Sequence, residues 1–187
     1  VDKQTYQKSC KPVIIAAASV SPITKGQVEV VCEQGNAGLC LLEPTQIAFG
    51  ETETYVEDAK EILRQGKNLI LYVDSRPEVR AHSEQERIKK GISSKELGEM
   101  ITAGMGAVLK ILLEQGLSDS IIMTGGDMAK AALETLESNG MMLYAEVEPG
   151  IPVGRMVGYG EYLMVTKAGA FGTPQALLKA IQLLKEE

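Results

Sequence analysis

The feature that most constrains this chain is an apolar run near its start, Val13-Ile14-Ile15-Ala16-Ala17-Ala18. A strand that is apolar on both faces has to be covered on both sides, the situation of a central strand in a parallel sheet between two helical layers. Further short apolar runs fall at 39–42, 68–74, 120–124, 142–148 and 162–167. Helix-like stretches separate most of them, at 23–34, 54–65, 93–115, 127–138 and 173–185. Strands alternating with helices specify βαβ units. The expected fold is α/β: a mostly parallel sheet with helices on both faces, in one Rossmann-like domain spanning residues 1–187.

Local chemistry supports the boundaries. Ser21 suits an N-cap and Pro22 the first helical position behind it. Ser93 with Glu96 forms a capping box at the head of the longest helix. Gly35-Asn36, Gly66 and Asn139-Gly140 act as stops, and Glu148-Pro149-Gly150-Ile151-Pro152 reads as a turn-rich segment. Residues 75–92 are polar and charged, with His82 among them, and read as a flexible loop that leaves open whether it closes as a lid.

Composition excludes several function classes. With 44% hydrophobic and 24% charged residues over 187 positions, the chain matches an ordinary soluble domain and not a disordered or collagen-like one. The longest uncharged apolar run, 13–21, is about half of a bilayer span. The net charge of −6 argues against nucleic-acid or anionic-membrane partners. Residues 1–92 hold 12 basic and 13 acidic groups, whereas 93–187 hold 7 and 12. An anion bound by the second half must therefore be held by backbone N–H groups and one or two placed cations. Cys10, Cys32 and Cys40 have no CxxC spacing and read as small buried hydrophobes in a reducing compartment. One histidine without a cysteine pair excludes a structural zinc site, and with no signal peptide the default is the cytoplasm. The start at Val1-Asp2, without an initiator Met, suggests a piece of something longer.

Open α/β sheets bind ligands where strands run out into helices, and three such turns stand out. Thr124-Gly125-Gly126-Asp127 can bring backbone amides and a helix N-terminus to a phosphate; it can equally be a plain turn with Asp127 as N-cap. Lys167-Ala168-Gly169-Ala170-Phe171-Gly172 offers a cation and an open backbone, or an exposed Lys before a loop. Ala18-Ser19-Val20-Ser21 offers a hydroxyl, or simple capping. Ala103-Gly104-Met105-Gly106 lies inside a helix pattern and reads as helix packing, His82 as a solvated side chain, and Leu97, Ile101, Val108 and Leu112 as core. There is no P-loop, and no GxGxxG follows a strand, which argues against an NAD-linked oxidoreductase.

In order, Ala18-Ser19-Val20-Ser21-Pro22-Ile23-Thr24-x-x-Gln27, Thr124-Gly125-Gly126-Asp127, Glu148-Pro149-Gly150-Ile151-Pro152 and Lys167-Ala168-Gly169-Ala170-Phe171-Gly172 resemble the C-terminal nucleotide-binding domain of the four-carbon acid sugar kinase family. The resemblance runs from about Val13 to Leu184. It implies an ATP-dependent kinase acting on threonate, erythronate or 3-oxotetronate, with Mg²⁺ as cofactor and the sugar acid held by a separate N-terminal domain absent from this chain. Carried over by position, the nucleotide contacts are Ser19, Gly125, Gly126, Asp127, Met128 and Gly169, and we add Lys167 and Ala168 from the same turn. Asp127 would orient Mg²⁺ through water, Lys167 would add charge, and adenine would rest near Gly169, with Phe171 a candidate. No catalytic base is assigned. Three positions depart from the family's usual pattern: Ala18 stands for Gly, Met128 for Thr or Ser, and Ala170 for an Asn found in many relatives. ATP or ADP is the expected partner, with a homodimer left open. The competing reading is a non-catalytic module that senses a small metabolite.

Overall fold

A computed structural model describes residues 6–185, so the chain's start at Val1 lies outside the described residues. In chain order the elements are β1 (Ile14–Ala17), α1 (Pro22–Gln34), β2 (Ala37–Leu42), α2 (Pro44–Ala48), α3 (Glu53–Arg64), β3 (Asn68–Val73) and α4 (Pro77–Lys90), followed by α5 (Ser94–Glu114), β4 (Ser120–Thr124), α6 (Gly126–Thr135), β5 (Gly140–Glu148), β6 (Ile151–Val157), β7 (Leu163–Lys167) and α7 (Ala176–Leu184). One seven-stranded sheet has the order β2-β3-β1-β4-β7-β6-β5. The first five strands in that order are parallel, and β6 and β5 extend the sheet as an antiparallel hairpin.

Side-chain alternation along the strands builds two cores. Ile14 and Ala16, with Leu69, Leu71, Ile121 and Met123, pack under α3, α5 and α6. Val13, Ile15 and Ala17, with Ile70, Ile122 and Val165, pack under α1 and α7. Every residue of β1 is fully buried, as its apolar run requires. Gly104 and Gly106 of α5 let neighbours approach: a Cβ at Gly104 would collide with Ile47 of α2, and one at Gly106 would lie 2.7 Å from Thr135 Oγ1 of α6. The capping box forms, with the Glu96 amide donating to Ser93 Oγ at 3.1 Å and the Ser93 amide to Glu96 Oε2 at 2.6 Å.

Several expectations need correction. Residues 75–92 are not a loop, because α4 occupies most of them. It starts on Pro77, ends on left-handed Gly91, and buries only Ser83, so no apolar stripe announces it in the sequence. Ion pairs Glu84–Arg87 and Glu86–Lys89 line its exposed surface, where His82 is also exposed. The turn-rich segment is a hairpin turn at Pro149-Gly150 that runs directly into β6, a strand absent from the sequence reading. Cys10 and Cys32 are exposed, and of the three cysteines only Cys40 sits in the core, where burial pushes its thiol up to about 11.

Glu148, at the end of β5, ties the hairpin to the segment before α7. It accepts from the Thr173 amide and hydroxyl and pairs with Lys179 at 2.8 Å. Lys179 and Thr173 together hold its carboxyl down from 4.5 to about 2. A depressed carboxylate stabilises the fold above its unfolded pKa and loses that contribution as pH falls through the folded one. Glu148→Gln is therefore expected to lower neutral-pH stability by about 1–2 kcal/mol. In urea melts the difference from wild type should shrink as pH drops from 4.5 toward 2; a gap constant over that window would refute the assignment.

Candidate nucleotide site

The chain leaves β1 through α1 toward β2 on one side and leaves β4 through α6 on the other, so β1 and β4 flank the topological switch point of the sheet. Crevices of open α/β sheets form at such points, beyond the carboxyl ends of the strands. A cavity of about 530 Å³ lies there, within the range of small-molecule sites. Ser19, Gly125, Asp127, Met128 and Gly169 all line it. Gly126 lies between two lining residues and is exposed.

Gly125 sits at φ 98° and ψ 135°, a backbone conformation that a side chain disfavours, and it is the N-cap of α6. It provides no side-chain cap, and Asp127 lies inside the first turn, so the expectation of Asp127 as a capping residue does not hold. The amides of Gly126, Asp127 and Met128 consequently have no acceptor within the helix. They carry the positive end of its dipole to the cavity. Met128 itself is fully buried, with its side chain in the core.

Across the cavity, the turn after β7 packs against the turn after β1. A Cβ at Gly169 would clash with Ser19 Oγ and come within 2.9 Å of Ser19 Cβ. The Gly169 carbonyl accepts from Ser21 Oγ at 2.8 Å and Thr24 Oγ1 at 2.6 Å. The N-terminus of α1 is closed by its own cap, the Thr24 amide donating to Ser21 Oγ at 3.1 Å, whereas that of α6 has no side-chain cap. Gln27 of α1 fixes the rest of the turn by donating to the Phe171 and Thr173 carbonyls at 3.0 and 2.8 Å.

Lys167 and Ala168 do not line the cavity. The Lys167 side chain, 4% exposed, points away from solvent and donates to the Ala168 and Gly169 carbonyls at 2.9 and 3.2 Å. Burial lowers its pKa. Phe171 lies neither in the cavity nor in the core; it is half exposed, with its ring against Gly150.

The wall opposite these turns comes from α5, through Ser94, Lys95, Gly98, Glu99, Ile101 and Thr102, with Val20 and Val73 beside it. Sequence reading found where α5 starts but not that it faces the strand ends. The available signal was Gly98, a helix-interior glycine with open space at its Cβ position and no packing need. Side chains on the wall carry one cation, Lys95, against Glu99 and Asp127. An anion here relies on backbone amides.

The model of the family described as nucleotide-binding C-terminal domain matches residues 14–177. The chain belongs to that family. This nucleotide-binding-type domain is 30% identical over 181 residues to the D-threonate kinase of Salmonella typhimurium, covering 94% of this chain and 43% of that protein. It is 27% identical over 172 residues to the 3-oxo-tetronate kinase of Pseudomonas savastanoi pv. phaseolicola, covering 91% of this chain and 38% of that one. The chain spans less than half the length of these two kinases. A Bordetella bronchiseptica protein of a domain family of unknown function, solved with bound citrate as a domain-swapped dimer, shares the fold at TM-score 0.75 and 22% identity, over 95% of this chain and 42% of that one. A Haemophilus influenzae protein does so at 0.70 and 20%, over 98% and 42%. Among the described residues no helix is long and apolar enough to cross a membrane.

Proposed function

We propose that this chain is the ATP-binding part of a kinase for a four-carbon sugar acid, a tetronate. The observation that carries this reading is the convergence of an uncapped helix N-terminus at Gly126–Met128 and the Gly169 turn on one cavity. Amides and a helix dipole suit a polyphosphate where side-chain charge does not. The apolar surface of Val20, Val73 and Ile101 offers contact for the base or ribose.

The residues also fit a nucleotide-borne Mg²⁺. No cluster of three or more metal-ligating side chains exists among the described residues, and Mg²⁺ is commonly held by one or two carboxylates, water and substrate phosphates. Asp127, exposed on the cavity wall at the head of α6, would take that role, with Glu99 a second carboxylate on the wall. Bound ATP would supply the phosphoryl group, and its Mg²⁺ would serve to neutralise charge on the phosphates. The α6 amides would hold the phosphates in place, and the closely packed Ser19 and Gly169 would keep the far wall fixed. The acid substrate and the base that takes its hydroxyl proton belong to the rest of the longer kinase.

A thermal-shift series on this chain tests the reading. ADP and ATP with Mg²⁺ are expected to raise the melting temperature, with no rise from NAD⁺ or D-threonate. Stabilisation by sugar acids without nucleotide preference would favour the metabolite-sensing module instead. The chain alone is expected to transfer no phosphate from ATP to D-threonate above background, and turnover would contradict the division of labour.

A further inference from the structure

This inference rests on the nucleotide reading and deepens it. We propose that Lys167 is a positioning residue: its ammonium pulls two consecutive carbonyls inward and so turns the amides that follow them toward the bound phosphates. Three observations support this. First, Nζ contacts the Ala168 and Gly169 carbonyls, and no carboxylate among the described residues lies within ion-pair distance of it. Second, the described peptide bonds are all trans, so each carbonyl lies anti to the next N–H. With both oxygens drawn to the lysine, the Gly169 and Ala170 amides face away from it. Neither donates to any acceptor among the described residues, whereas the next amide, Phe171, closes the turn onto Ala168 at 3.1 Å. Third, Gly169 itself forms part of the cavity wall. Two successive unpartnered amides can form an anion-binding concavity, and Gly169 borders the same cavity as the open N-terminus of α6.

The ammonium therefore sits one peptide behind the wall. It acts through the turn and, at longer range, through an unpaired positive charge in a buried setting. Thr24 pulls the same Gly169 oxygen at 2.6 Å without any charge, which allows positioning to be separated from simple attraction.

The test is calorimetric titration of wild type, Lys167→Met and Thr24→Val with ADP and with adenosine, backed by amide NMR. Lys167→Met is expected to lose about tenfold or more in ADP affinity, with adenosine affinity changed less than about twofold. Thr24→Val, which keeps the charge, should weaken ADP by about threefold or more and leave adenosine alike. In wild type, ADP should shift the Gly169 and Ala170 amide resonances, and in both variants those shifts should shrink while those of Gly126–Met128 persist. If ADP affinity survives in Lys167→Met, or falls there while Thr24→Val binds like wild type with Gly169 and Ala170 unmoved, the positioning role is overturned. If wild type binds no ADP at all, the nucleotide reading itself fails and this inference with it. Should Lys167→Met not fold, Thr24→Val alone decides.

Discussion

Gly169→Ala is expected to lower ADP affinity by about tenfold or more while leaving the chain folded. The added methyl would have nowhere to go, since Ser19 Oγ and Cβ already occupy its place. Either the β7–α7 turn moves out or Ser19 moves into the cavity, and both change the site. Overpacking of this kind costs about 1–3 kcal/mol, which as a binding penalty is roughly five- to 150-fold. Gly169 does not need a left-handed backbone, so strain does not confuse the result. Gly26→Ala in α1 is the control: nothing lies within 4 Å of its Cβ position. It should gain about 0.5–1 kcal/mol of helix stability and keep wild-type affinity. Calorimetry and urea melts on the two variants read both quantities, and unchanged ADP affinity in Gly169→Ala would remove that turn from the site.

The second large effect is expected at Gly125. There the space is open, and the restriction is the backbone at φ 98° and ψ 135°. An alanine must either hold that conformation at a cost of about 1–3 kcal/mol or re-form the turn. Re-forming it would break the bond from the Gly125 amide to the Lys167 carbonyl at 2.9 Å, which joins the two turns. Gly125→Ala should therefore lose stability and at least tenfold in ADP affinity together. Gly126→Ala has open space and no positive φ, so it should leave stability within about 0.5 kcal/mol. Equal stability for the two variants would show that the strained cap carries no weight.

The sheet was legible because its central strands are apolar on both faces and because α1 and α5 begin on strong caps. What escaped reading was set by context. Helix α4 keeps almost nothing in the core, so hydrophobic periodicity, the main sequence signal for a helix, is missing from it. Strand β6 carries Pro152, which reads as turn, and Gly154, which is there because a Cβ would strike the β5 backbone at Met142. Lys167 at a strand end looks like an exposed charge in any one-dimensional view. Its inward direction follows from its register opposite Thr124, on the face covered by α1 and α7. The α5 wall of the cavity is contributed by a helix far from the three turns in sequence, and no local pattern marks which helix will cross them.

The most direct measurement is the position of the phosphates in a crystal of this chain grown with Mg²⁺ and a non-hydrolysable ATP analogue. The account predicts the terminal phosphates against the Gly126, Asp127 and Met128 amides, with the Gly169 turn on their far side. Phosphates seated instead at the opposite end of the strands, in the similarly sized cavity beside Tyr6, Lys11 and Arg155, would contradict it.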